Sequence, residues 1–281
     1  MKPKRIVSLC PSNTEILFAL GLVESIVGVD SHSDYPTQVK ELPRVGTDLR
    51  INMEKVKALE PDLVVASLTV PGMERNIEAL EKTKLSYIIL NPHNIEEIIE
   101  NILMLGEITN TLEEAQRLVD EIKNTVNSIK LQVQKIQYRL KLYWEWWPKP
   151  IITACRHSWV NDMSEIVGGM NIFSNIEKTT SIVEDSDILS LDPDILLICW
   201  CGEKMQNRMS IDKILTRPGW ENIKAIKEKR VYCVPESLFG RPGPRIIDGL
   251  KLLSQIVHRS TEAHERPEIF GRFEILILLD F

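Results

Sequence analysis

Apolar and polar positions along this chain alternate between two rhythms. Short apolar runs, at Arg5–Cys10, Ile26–Val29, Leu63–Ala66 and Tyr87–Leu90, read as strands buried on both faces. Between them lie stretches with helical spacing and readable punctuation. Ser12 and Glu15 have the form of a capping box opening a helix to about Leu20, which Gly21 closes. Asn52 caps a helix ending at Pro61, Pro71 opens one to about Lys82, and Asn94 with Glu97 opens another. The second half repeats the alternation. Strands are predicted at Lys141–Trp146, Ile195–Cys199 and Val231–Val234, and helices at Trp159–Val167, Asp212–Leu215, Glu221–Lys227 and Arg245–His258. The pattern predicts an α/β fold of two Rossmann-like lobes with parallel sheets.

A repeated phrase supports two lobes. Leu59-Glu60-Pro61-Asp62-Leu63-Val64-Val65-Ala66 returns as Leu191-Asp192-Pro193-Asp194-Ile195-Leu196-Leu197-Ile198. In each copy a helical stretch stops at Pro, which has no N–H to continue it, and an apolar strand follows. Between the halves, Thr111 and Glu114 open the longest amphipathic stretch. Its stripe is Ala115, Val119, Ile122, Val126, Ile129, Val133 and Ile136. That predicts a helix of about 28 residues, roughly 42 Å long. The expected organisation is a lobe over 1–110, a bridging helix over 111–139, a second lobe over 140–260, and a tail over 261–281 of unassigned role. Ligands of such sheets sit beyond the carboxyl ends of the strands, so a cleft between the lobes is the expected site.

Composition narrows the function. The net charge of −6 disfavours nucleic acid as a partner. Five cysteines lack disulfide or zinc spacing, and three of them lie in apolar runs where Cys is a small hydrophobe. No phosphate-binding, dinucleotide, zinc-protease or Gly-x-Ser-x-Gly motif is present, and no enzyme is expected. No signal peptide is read at the N-terminus, and no run reaches the length of a membrane span. The tail segment Ile275–Leu279 reads either as an extra strand or as a contact with another chain.

Five collinear segments carry a family resemblance: Ser8–Glu15, Ser31–Pro36, Leu59–Val65, Gly168–Phe173 and Pro244–Ile247. With the long central helix, they resemble the substrate-binding proteins of ABC importers whose two lobes are joined by one helix. Within that class the chain is most similar to the cobalamin-binding proteins. The resemblance implies cobalamin or a related corrinoid as transported ligand, with no catalytic cofactor. It implies an ABC permease dimer as partner and an extracytoplasmic location, a cytoplasmic one being the alternative. It leaves the oligomeric state open. It also implies that Glu74 and Glu221, one per lobe, dock on the permease. Other readings of the same fold are a haem or ferric-siderophore carrier, or an intracellular corrinoid carrier or sensor.

Cobalamin has flat apolar faces fringed with amides, so its site needs aromatic walls and scattered hydrogen-bond partners. The candidates are Trp146, Trp147, Trp159 and Trp200, each with core packing as the alternative. Pro11, Ser12 and Asn13 offer backbone N–H groups at a helix start. By the resemblance, His32 faces the corrin and is the candidate axial ligand to cobalt; otherwise it is a loop histidine bonded to Asp34 or water. Tyr35 and His157 are further candidates, while His93, His258 and His264 read as surface residues. Arg241, with Arg245, either meets an anionic ligand or pairs with surface acids.

Overall fold

The structure, a computed structural model, describes residues 3–134, 138–202 and 211–265. It divides into two compact units. The first takes the chain up to Ile122 together with Pro242–Pro244; the second begins at Lys123.

The first unit is built on a four-stranded parallel sheet of order β2-β1-β5-β6. Its strands are β1 (Ile6–Ser8), β2 (Ile26–Val29), β5 (Leu63–Ser67) and β6 (Tyr87–Leu90). A two-stranded hairpin, β3 (Gly46–Thr47) with β4 (Arg50–Ile51), follows the β2 loop. The helices are α1 (Pro11–Ala19), α2 (Met53–Ala58), α3 (Glu74–Glu81), α4 (Ile95–Thr109) and the part of α5 (Leu112–Val133) up to Ile122. Val7, Val64, Ala66 and Leu80 anchor the core. Asn52 caps α2 through bonds accepted from the Glu54 and Lys55 N–H groups, and Asn94 accepts the Glu97 N–H at α4.

The capping box expected at Ser12 is not formed. Pro11 starts α1 with Cys10 as an uncapped N-cap, so Ser12 lies inside the first turn with its hydroxyl turned to Cys10 and Asn13. Proline at the first helical position is already set in helical φ, which brings the start forward. The long helix α5 has 22 residues, shorter than the stripe implied, and Ile136 lies outside the described residues. Ala115, Val119, Ile122 and Ile129 are buried as the stripe requires, whereas Val126 and Val133 are half-buried. The boundary between the units falls within α5, between Ile122 and Lys123.

The second unit carries a six-stranded sheet of order β10-β8-β7-β11-β12, with β9 beside β7. Here β7 is Lys141–Pro148, β8 Ile151–Ala154, β9 Met170–Asn171, β10 Thr180–Ile182, β11 Ile195–Ile198 and β12 Val231–Cys233. The run β7-β11-β12 is parallel, as the alternation predicts. The sequence reading missed an antiparallel extension, in which β8 pairs back on β7 and β10 on β8. The helices α6 (Trp159–Ile166) and α7 (Asp185–Leu191) and the C-terminal helix Ile246–Glu265 belong to this unit. Ile275–Leu279 lies outside the described residues.

The repeated phrase builds the same clamp in each unit. Glu60 and Asp192 both adopt φ of 44°, turning the chain out of a helix. The next acid then fastens the first strand of its sheet. Asp62 Oδ2 accepts the Lys4 and Arg5 N–H groups at 2.8 and 3.0 Å, and Asp194 Oδ2 accepts the Lys141 N–H at 2.8 Å. A basic side chain closes each turn: Arg5 Nη2 donates to Leu59 O at 2.6 Å, and Lys141 Nζ to Leu191 O at 2.9 Å. The copies differ in burial. Asp62 is exposed, while Asp194 is 1% exposed and pairs with Lys224 Nζ at 2.6 Å. Burial pulls the Lys224 ammonium down, but its bond to Asp194 outweighs that and holds its pKa above the ordinary lysine value. Asp194→Ala is therefore expected to cost about 2–3 kcal/mol and Asp62→Ala about 1 kcal/mol. Urea unfolding midpoints of the two variants test the order, and equal midpoints would refute the burial argument.

Candidate functional site

In the first unit, the parallel order places the loops after β1, β2, β5 and β6 along one sheet edge. The loop after β2 is fastened from several sides. Arg44 Nη1 donates to Asp30 O at 2.9 Å and Ser33 O at 2.7 Å. The Ser31 N–H reaches Gly46 O at 2.7 Å. The buried Asp30 carboxylate accepts the His32 N–H at 2.6 Å and the Ser33 hydroxyl. Burial raises the Asp30 carboxyl above its usual range, opposed by those two hydrogen bonds. From Ser33 the hydroxyl chain continues to Thr14 at 2.8 Å and on to Ser8 at 2.7 Å, joining the loop to α1 and β1.

Within this frame His32 is 43% exposed at its side chain, and its Nδ1 lies 3.0 Å from Asp48 Oδ1. Asp48 belongs to the β3–β4 turn, sixteen residues on. Tyr35, before the cis peptide to Pro36, is 49% exposed. Pro11, Ser12 and Asn13 are buried. The Asn13 side-chain amide is spent on the scaffold, donating to Val65 O at 3.2 Å and Ala66 O at 3.0 Å. Gly243 packs on Ser12, where a Cβ would lie 3.3 Å from the Ser12 carbonyl oxygen. Burial pushes the Cys10 thiol up to about 12, so it stays protonated at neutral pH.

In the second unit, strand alternation sorts the side chains of β7 onto two faces. Trp144 and Trp146 share one face, stacked with centroids 6.2 Å apart at 25°. Trp159 lies 6.4 Å from Trp146 and donates its Nε1–H to Phe239 O at 2.6 Å. Trp146, Trp159 and Trp200 are 8%, 4% and 3% exposed, so these indoles are packed into their unit. Trp147, at the carboxyl end of β7, is half-buried and donates to Lys149 O at 3.0 Å.

The other face of β7 holds a residue that the sequence reading passed over. Glu145 is fully buried, with aromatic or apolar residues on either side of it in β7. Arg217 meets it bidentately at 2.6 and 2.7 Å, and Tyr143 Oη and Trp200 Nε1 donate at 2.9 and 2.8 Å. Burial lowers the Arg217 pKa, but the carboxylate more than restores it; burial and the Glu145 charge push the Tyr143 phenol well up. The signal available was a lone acid inside an apolar run, which has to be paired if the run is buried.

Three further candidate or neighbouring cations, Arg241, His157 and His93, each face an acid. Arg241, 7% exposed, has Nε at 3.3 Å and Nη2 at 3.4 Å from the Glu236 carboxylate oxygens. Exposed His157 meets Glu177 at 3.0 Å, with Arg156 on the same carboxylate at 3.3 Å. His93 pairs with Glu97 at 3.0 Å, within one helical turn. Glu74 and Glu221 are both exposed, and their local frames match. Each follows a Pro-Gly pair with a left-handed glycine, Gly72 at φ 102° and Gly219 at φ 84°, and a buried anchor, Met73 or Trp220. No helix of the described residues is long and apolar enough to cross a membrane.

A family model described as periplasmic binding protein matches residues 6–238. The chain is 32% identical over 267 residues to an uncharacterized ABC transporter substrate-binding lipoprotein of Bacillus subtilis, covering 92% of this chain and 82% of the relative. It is 26% identical over 248 residues to a vitamin B12-binding protein of Vibrio cholerae, covering 88% and 87%. Among solved structures, a possible iron-binding (periplasmic solute-binding) protein of Staphylococcus epidermidis superposes with a TM-score of 0.77 at 32% identity, covering 92% of this chain and all of that one.

Proposed function

The chain belongs to the periplasmic binding protein family and is an ABC-type substrate-binding protein, and on that premise we propose that its cargo is cobalamin or a related corrinoid. The observation that carries this reading is Trp147, half-buried at the carboxyl end of β7 and next to the packed indoles Trp144, Trp146 and Trp159. An indole there suits a broad apolar macrocycle, because a ring buries much area with little side-chain entropy lost. Trp200, His32, Tyr35, His157 and the α1 start at Pro11, Ser12 and Asn13 are the remaining contacts we assign. The charge pattern supports a cargo without concentrated negative charge. Arg241, Arg217 and Arg156 each already meet a carboxylate, so an anionic cargo would have to displace one. The similarity to a vitamin B12-binding protein over most of both chains points the same way.

Haem or a ferric siderophore is the second reading, favoured by the likeness to a possible iron-binding protein. Quenching of tryptophan emission by cyanocobalamin, ferric haem and a ferric hydroxamate, measured side by side, separates the two. The corrinoid reading expects the first to bind most tightly; a tighter ferric ligand would replace it.

Proteins of this class work with a permease and an ATPase, and the location we assign is extracytoplasmic. Glu74 and Glu221 are the docking acids in this reading. Exposed charges at an interface rim act mainly on the encounter and its salt dependence. Each of Glu74→Ala and Glu221→Ala is expected to weaken binding to the reconstituted transporter about tenfold while leaving cargo affinity unchanged. Unaltered transporter affinity in the double variant would remove both residues from the interface.

A further inference from the structure

Resting on the reading of Glu221 as a docking acid, we propose that Arg217 is its positioning residue: pinned to the buried Glu145, it holds the turn that presents Glu221 to the permease. The turn begins at Arg217 itself. Pro218 and Gly219 occupy its two central positions, and Gly219 has φ 84° and ψ −17°, as a type II turn requires. The Trp220 N–H closes it on Arg217 O at 3.2 Å. A 3-10 turn over Trp220–Asn222 follows at once, with the Asn222 N–H on Gly219 O at 3.1 Å. Glu221 therefore stands one residue beyond a turn whose two ends, Arg217 and Trp220, both have side chains held in the core.

Four side chains hold those ends in a closed ring. The Arg217 guanidinium meets both Glu145 oxygens at 2.6 and 2.7 Å and lies 4.4 Å above the Trp220 ring. Trp220 meets Tyr143 edge-on at 6.1 Å, and the Tyr143 hydroxyl returns to Glu145 at 2.9 Å. A guanidinium suits this place because its planar fork fixes direction as well as distance, and its face stacks on an indole. The matching turn of the first unit is held differently. There the Met73 N–H closes on Val70 O at 3.2 Å, but Val70, at the position of Arg217, is 38% exposed. Glu74 instead steadies itself, its Oε2 accepting the Gly72 N–H at 2.7 Å. Among the described residues the exposed Glu221 carboxylate has no such bond, so its aim rests on the turn beneath it. An acid that must be ordered as it docks loses affinity to that ordering, and Arg217 removes the loss beforehand.

The test is a double-mutant cycle on transporter affinity, using the full chain and the reconstituted transporter. The background is Glu145→Leu with Arg217→Met, which leaves no charge buried and whose fold is checked by circular dichroism. That background should bind the transporter about threefold to tenfold more weakly. Adding Glu221→Ala should then weaken it by less than about twofold, against about tenfold in the wild type. Adding Glu74→Ala should still weaken it about tenfold, which separates a general loss of the fold from the loss of one acid's aim. Arg217→Lys keeps a charge beside Glu145 but loses the fork and the ring contact. It carries the same cycle should the double variant not fold, with the Glu221→Ala effect cut to about threefold. Unchanged transporter affinity in the folded background, or an undiminished Glu221→Ala effect in either background, would overturn the positioning role and leave Glu221 as a docking acid. No effect of Glu221→Ala in the wild type would overturn the docking reading and the positioning role together.

Discussion

Glu145→Ala is expected to destabilise the second unit by about 3–5 kcal/mol, the usual cost of breaking one side of a buried ion pair. The carboxylate is fully buried, and the Arg217 side chain is only 15% exposed. Removing the acid leaves that guanidinium, the Tyr143 hydroxyl and the Trp200 indole N–H without their shared acceptor. Arg217 also lies 4.4 Å above the Trp220 ring, and Trp220 in turn donates to Asp185 at 2.7 Å, so the loss spreads toward α7. Replacing both partners, as in Glu145→Leu with Arg217→Met, should cost much less, because no charge is then left buried. Urea unfolding followed by circular dichroism checks this. A double variant less stable than Glu145→Ala would contradict the pairing argument.

Trp144→Ala is expected to cost a similar amount, about 3–5 kcal/mol for an aromatic removed from a core. Trp144 is fully buried, lies 5.2 Å from the Phe239 ring, and donates its indole N–H to Ser164 Oγ at 2.9 Å. Truncation opens a cavity behind Trp146 and removes the ring stacked on it. Stability and function should therefore fall together: corrinoid affinity should drop about tenfold, equivalent to ~1.4 kcal/mol. Trp144→Phe should recover most of both. Normal affinity in a destabilised Trp144→Ala would mean that the indole stack supports the unit and not the site.

The sequence exposed the frame well where local chemistry decides structure. Strands Ile26–Val29 and Tyr87–Leu90 lie where their apolar runs place them, and Asn52 and Asn94 cap the helices they precede. The Pro-Asp repeat was visible as a phrase, but its meaning was not, since the clamp is made with Arg5 and Lys141, fifty or more residues away. The antiparallel strands β8 and β10 were missed because Thr180–Ile182 is short and polar and gains its place only by pairing with β8. The candidate site shows the same limit. Residue type pointed to His32 and the tryptophans, whereas Asp48 and Glu145, which fix His32 and Trp200, are recognisable only once distant segments meet. Family likeness supplied the candidate loops; the supporting contacts are tertiary.

The central claim is that this substrate-binding protein carries a corrinoid. Calorimetric titration of the purified full chain with cyanocobalamin tests it most directly. The account predicts saturable binding of about one ligand per chain with sub-micromolar affinity, equivalent to more than ~8 kcal/mol. No heat of binding, beside saturable binding of ferric haem or a ferric siderophore under the same conditions, would contradict it and give the site to an iron chelate.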